Sequence, residues 1–395
     1  MKKVICLFGA IALIMSMALL SCGDGAGDGD NPGGGGGGDD GGGGGGGGGG
    51  DVELEGWSLV PDYDWFTGGE PFEISTPEEL AGLAQLVNAG EGYDFQGLNI
   101  IQTDNLYLGG RLWTPIGLNS RRFKGTYNGN GKTISGLTIT SSADSQGLFG
   151  YIDAIGTVKG VKLQGLSVSG GTSVGALAGR NYGTVQNCSV TGSVIGGSEV
   201  GGIVGRNEGG TVERCSAAGS VTGSGSSVGG IAGTSYISGS SVKNCYATST
   251  VKTTAVHGSV GGIVGVQGAN CSVQYCYVTG SVQGYFASGI IGTNSGNITN
   301  SAALNTSVSG ESNQSNRVTT SNGGTCTNNY GRSDMLVNGA TKSSNDLGSL
   351  YGRDVDAALY NTQTWWTSAG NWNTAAWDFG AVWAWDGTAN LPVLK

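Results

Sequence analysis

The sequence is short of the groups that most enzymes work with. Only 12% of its 395 residues are charged, and it holds a single histidine, His257. No HExxH phrase occurs, and no Cys-x-x-Cys spacing pairs its thiols. One histidine among scattered acids makes no zinc site, and no spacing recruits His257 into a Ser-His-Asp arrangement. It sits in the TTAVHG insertion and reads as an exposed loop residue. The 80 glycines follow no G-X-Y period, which excludes collagen. A formal net charge of −10 disfavours nucleic acid as a partner. Helical 3,4 spacing of apolar residues is nearly absent as well, the exception being Pro77–Asn88.

What the chain has instead is a phrase that returns. SVGALAG stands at Ser173–Gly179, EVGGIVG at Glu199–Gly205, SVGGIAG at Ser227–Gly233, SVGGIVG at Ser259–Gly265 and ASGIIG at Ala287–Gly292. GLFG at Gly147–Gly150 is a blunter copy. The closing glycines fall at 150, 179, 205, 233, 265 and 292, a period that marks stacked repeats. After each full copy comes a second phrase: TVQNCSVTGSV, TVERCSAAGSV, SVKNCYATSTV, SVQYCYVTGSV and NITNSAALNTSV. Cys188, Cys215, Cys245 and Cys276 share one repeat position, with Val161 before them and Ser301 after.

β-branched runs broken by Gly, Ser, Thr and Asn are strand-and-turn chemistry. The expected fold is all-β, a right-handed parallel β-helix, or solenoid. Its hand follows from the general rule for parallel crossovers. Each rung should hold two or three strands of about five residues, with equivalent residues about 4.8 Å apart. Val185, Val212, Val242 and Val273 then form one column, the cysteines another, and Val194, Val221, Val251 and Val282 a third. Asn181, Asn207, Ser235, Gln267 and Asn294 should stack at a turn, while glycine supplies the corner dihedrals. Buried thiols would act as small hydrophobes. Adjacent rungs also bring them within disulfide range, so their redox state stays open.

The pattern VGGIVG–N–G–TVxNCxxTGSV resembles the GLUG motif of bacterial surface proteins, some of them immunoglobulin-A peptidases. The clearest matches run from Gly150 to Val308. The lead-in of capping helix, WTPIG, FKGTYNGNGKTISGLTI and GLFG is similar to that of other GLUG-type β-helices. The resemblance implies an extracellular β-helical region and carries no catalytic residue onto these positions.

The ends divide the chain further. Residues 1–22 read as a lipoprotein signal peptide: Lys2 and Lys3, an apolar run, then Leu-Leu-Ser-Cys, which resembles a lipobox. That resemblance implies cleavage before Cys22 and lipid on its thiol, anchoring the chain to a bacterial outer membrane or cell surface. Residues 23–52 read as a disordered Gly/Asp tether with a reach of about 30 Å. Residues 53–146 hold the N-terminal cap and first rungs. Their helix has a Thr76-x-x-Glu79 capping box, Pro77 at its first position and Gly90 to stop it. Residues 147–308 are the repeat β-helix.

Residues 309–395 form a degraded rung and an aromatic-rich C-terminal cap with six of the nine tryptophans. Those rings either close the open end of the coil or, through Trp365, Trp366, Trp383 and Trp385, offer a sugar-binding platform. Arg180 and Arg206 share a repeat position and would stack as a small basic ridge. Glu208 and Glu213 are the nearest thing to a carboxylate pair. No cofactor or metal is implied. The expected role is a non-catalytic, lipid-anchored surface protein that presents its β-helix to a glycan or a host protein. A polysaccharide lyase or glycoside hydrolase, or a passive spacer, are the alternatives.

Overall fold

A computed structural model describes residues 55–90, 93–311, 313–321, 323–372 and 376–395. The signal peptide, Cys22 and the tether lie outside the described residues. The body from Glu53 onward is one compact unit built of stacked parallel coils. One straight column is a ten-stranded sheet that starts at Phe72–Ile74 and reaches Thr325–Thr327. Within it Val158, Val185, Val212, Val242, Val273 and Ile298 lie in register, all fully buried. Val194, Val221, Val251, Val282 and Val308 form a second buried column.

One rung holds four short strands rather than the two or three expected. In one copy these are Val174–Gly175, Ala178–Asn181, Thr184–Gln186 and Ser189–Gly196. The extra break comes at the glycine-bracketed phrase, which turns a corner instead of running straight. Its glycines are there for a different reason from the one anticipated. Gly202, Gly230 and Gly262 do not have positive φ. A Cβ on them would stand 2.1–2.2 Å from the carbonyl oxygen of the next rung's glycine. The backbones approach too closely for any side chain at this corner. Left-handed corners fall on Ser173, Glu199 and Ser227, which open the phrase, and on the residue before the cysteine position: Asn187, Arg214, Asn244, Tyr275, Asn300 and Asn328, with φ between 51° and 71°. Asparagine is the non-glycine residue that best tolerates this region, which accounts for its recurrence.

The amide column forms as expected. Asn181, Asn207, Ser235, Gln267 and Asn294 pair rung on rung and are all buried. Asn181 Nδ2 donates to Asn207 Oδ1 at 2.9 Å, and Asn207 Nδ2 donates to the Gly210 carbonyl at 2.9 Å. A buried amide costs stability unless it is bonded, so this turn is held by side chains.

Helix α1 (Pro77–Ala89) links the end strand Phe72–Ile74 to its neighbour Asn99–Gln102. Thr76 and Glu79 cap each other: Glu79 N donates to Thr76 Oγ1 (3.2 Å) and Thr76 N donates to Glu79 Oε2 (2.9 Å). Gly90 closes the helix at φ 79°. Leu80, Leu83, Ala84 and Val87 are buried as one stripe. Beneath it, rings run inward from Phe66 to Phe95, Phe123 and Phe149, with centroids 5.2, 6.4 and 5.1 Å apart. The helix thus stands at the N-terminal end of the coil, over an aromatic core.

The far end is finished by an arginine. Ser288 pairs with Asn316 and Ile291 with Thr319, which puts Arg317 over Gly289 in the tight corner. With no full rung above, its side chain turns into the coil and is wholly buried. Its guanidinium donates to the carbonyls of Tyr351, Gly331, Arg332 and Gly352 and pairs with Asp354 at 2.7 Å.

Candidate functional site

Two surfaces carry the candidate residues. On the six-stranded sheet, Tyr151, Arg180 and Arg206 occupy successive rungs at one outward position. Arg206 Nη1 donates to Glu199 Oε1 at 3.0 Å, and its Nε lies 2.9 Å from Glu208 Oε1. Arg180 Nη1 donates to the same Glu208 oxygen at 3.1 Å. Ser173 Oγ donates to Glu199 Oε2 at 2.5 Å. Burial alone would depress the Arg180 guanidinium, but Tyr182, Tyr151 and Glu208 hold it above its usual value. Burial, with Glu208 close by, raises the Tyr182 hydroxyl, and Arg122 packs over that ring at 3.9 Å.

Arg180 and Arg206 therefore do stack, but not as an open basic ridge. Their charge is met by Glu199 and Glu208 across two adjacent rungs. Glu208 and Glu213 do not form a carboxylate pair either. They sit on different sheets, and Glu213 faces Lys243 (3.6 Å) and the Asn244 amide (3.4 Å). Each carboxylate thus faces a fixed cation of the protein and not the other carboxylate.

The second surface is the docking site of the C-terminal module. Its short helices α2 (Ala357–Tyr360) and α3 (Gln363–Thr367) and a closing hairpin (Trp383–Asp386 with Leu391–Leu394) gather the tryptophans. The cluster does not sit over the open end of the coil. It packs along the flank, on Tyr246, Tyr277, Ala302 and Tyr330, which occupy one outward column. Tyr277 Oη donates to Pro392 O at 2.6 Å and Tyr330 Oη to Asn371 O at 2.8 Å. In earlier rungs the same column holds Ser189 and Ser216. The change from serine to tyrosine after each cysteine was the available signal for this docking face.

The tryptophan platform is thereby corrected. Trp366 and Trp383 are fully buried and Trp365 nearly so, at 6% exposure; Trp385 is half-buried. Trp366 and Trp377 meet edge to face at 4.5 Å, and Trp365 meets Trp372 in the same way at 4.8 Å. The faces of Trp365, Trp366 and Trp383 are taken up by neighbouring rings and cannot stack on a sugar ring, while Trp385 keeps partial exposure.

Where the module meets the last rungs, a cleft of about 400 Å³ remains. Tyr330, Val355 and the edge of Trp365 floor it, and Arg353, Leu359 and Thr364 stand around it. Another polar cleft, of about 440 Å³, lies near the N-terminal end between Arg122, Lys124, Asp94 and Asp153. There the Lys124–Asp94 pair at 2.7 Å holds the Asp94 carboxyl below its usual range, although burial pulls it upward.

The cysteines are one buried column: Cys188, Cys215, Cys245 and Cys276, continued by Ser301. All are free. Each thiol turns to a carbonyl two residues back, at 3.1–3.3 Å. Burial raises the Cys215 thiol far above its ordinary value. These groups are packing, with no path to a reactant. His257 is exposed, at φ 66°, and lies edge-on to Tyr285 at 4.5 Å. Among the described residues, no cluster of His, Cys, Asp or Glu could hold a metal ion, and no helix is long and apolar enough to cross a membrane.

Four copies of the GLUG motif are matched, at residues 170–195, 196–222, 224–252 and 257–283. The chain is 40% identical over 134 residues to a "Putative Gly-rich membrane protein" of Evansella cellulosilytica, covering 31% of this chain and 15% of that one. It is 48% identical over 64 residues to Halomucin of Haloquadratum walsbyi, covering 16% and 1%. The chain thus spans a small part of the curated relatives it matches. Among solved structures, that of a "putative immunoglobulin A1 protease" from Bacteroides ovatus superposes with a TM-score of 0.57. Identity there is 21%, over 82% of this chain and 92% of that one, a likeness that bears on the fold alone.

Proposed function

We propose that this chain is an exported surface protein, anchored by lipid on Cys22, that holds a non-catalytic β-solenoid away from the membrane and binds a glycan or host protein on its flank. The observation that carries the non-catalytic reading is the Arg180–Glu208–Arg206–Glu199 network. The acids best placed for chemistry on the repeat face are committed to fixed cations. The names of the relatives, a membrane protein and Halomucin, favour a cell-surface setting. Lipobox and tether supply the anchor and the reach.

Mass spectrometry of the mature N-terminus tests the anchor: a diacylated Cys22 is expected, and Cys22→Ala should release the protein from the membrane fraction. The name of the structural neighbour makes immunoglobulin A1 the first substrate to try. No cleavage of it, and no product from a polysaccharide panel, is the expected outcome. Turnover abolished by changing one carboxylate would overturn the non-catalytic reading.

A further inference from the structure

We infer that the cleft between the last rungs and the C-terminal module binds a saccharide bearing a carboxylate. This deepens the binding role proposed above and rests on it. The cleft holds about 400 Å³, within the range of small-molecule sites and too small for a folded partner. Its floor is apolar and rigid. Tyr330 lies edge to face with Trp365 at 4.9 Å and Trp372 at 5.0 Å, and its hydroxyl is tied to Asn371 O. Leu359 extends that apolar surface outward at 51% exposure. Hydroxyls of Thr362, Thr364 and Ser368 ring the rim. One apolar wall facing a rim of hydroxyls matches a sugar ring, with its C–H face and its edge of hydroxyl groups.

The charge decides the class. Arg353 is exposed at the cleft, and among the described residues it makes no ion pair; its Nε donates to Asn345 O at 3.3 Å. Asp354 also lines the cleft, but its carboxylate is already engaged by the buried Arg317 and by Ser344 N. The cleft is left with one uncompensated cation in a protein of net charge −10. A planar guanidinium with open donors suits a carboxylate in two-pronged geometry.

The test uses detergent-solubilised full-length protein and calorimetry with oligogalacturonate, and neutral galacto-oligosaccharide of equal length as the comparison. The acidic sugar is expected to bind at least tenfold more tightly. Arg353→Gln should cost it about tenfold, the scale of one lost charge-assisted contact. Thr364→Trp, which fills the cleft from an exposed position, should abolish binding. Both sites are exposed, so unchanged thermal unfolding is expected of each variant. Absence of binding overturns the inference, as does equal affinity for the neutral sugar or affinity unchanged by both substitutions. None of these touches the surface-protein reading, which fails only on the location or turnover of the whole protein.

Discussion

Tyr246 and Tyr277 lie ring on ring, centroids 5.1 Å apart and planes within 4°, on the outside of two successive rungs. They turn one flank of a polar coil into a seat for the tryptophan module. Tyr277 alone touches Trp366, Trp377 and Trp383. Tyr277→Ser restores the residue that earlier rungs use at this position. It should leave the solenoid folded and weaken docking of the module by about 3 kcal/mol, the scale of a buried aromatic truncation. Tryptophan emission should shift to the red and protease should remove the C-terminal module, while the β signal in circular dichroism stays. Emission and cleavage like those of the parent would contradict the flank docking.

The corner glycines make a sharper demand. A Cβ at Gly230 would stand 2.1 Å from Gly262 O and 2.9 Å from Ala247 Cβ, backbone and core that cannot yield. Gly230→Ala should cost about 3 kcal/mol, at the upper end for an overpacked site. Gly370, where nothing lies within 4 Å of the added atom, should tolerate alanine with almost no change. Urea midpoints of the two variants separate close approach from a general intolerance of side chains.

At the C-terminal end, Arg317→Met removes the charge from a wholly buried site and strands four carbonyls and the Asp354 carboxylate. Losing one partner of a buried pair costs about 3–5 kcal/mol. The damage should be local. Hydrogen exchange should quicken around Val318, Tyr330 and Arg353, with the rungs at Val185 and Val212 unaffected.

Thiol ionisation gives a pH dependence of defined sign. Burial pushes the Cys326 thiol from 9.0 up to about 11, and Cys215 and Cys276 are raised too, chiefly by burial. Above pH 9 the unfolded chain loses protons that the folded chain keeps. The Cys326 contribution to unfolding free energy is therefore fully present below pH 9 and is lost as the pH rises to about 11. Cys326→Ala should flatten part of that decline in urea titrations. At neutral pH iodoacetamide should modify these cysteines only after unfolding.

Much of this was legible because the repeat writes its own register. The four cysteines, the two valine columns and the amide column all stack as their spacing requires. So does α1, whose Thr76–Glu79 box is local chemistry, although it runs one residue further, to Ala89. What escaped was long-range. Nothing near Trp365 or Trp383 says which surface it covers; that information sits about a hundred residues earlier, in Tyr246 and Tyr277. The pairing of Arg206 with Glu199 depends on a left-handed corner at Glu199 that turns its side chain back over the sheet. Arg317 hid in a stretch that reads as a polar loop, because its role depends on standing where other rungs carry glycine. The glycines were assigned to dihedral freedom when contact between rungs is what excludes a side chain.

The stacking of like over like is tested most directly by distance. Lys159, Gln186, Glu213, Lys243, Gln274, Thr299 and Thr327 form one outward column, paired step by step. Bioorthogonal spin labels at Lys159 and Gln274 should give a backbone separation of about 19 Å, and at Lys159 and Thr327 about 29 Å, in steps of about 4.8 Å per rung. Separations that do not grow in those steps would contradict the coil and every surface built on it.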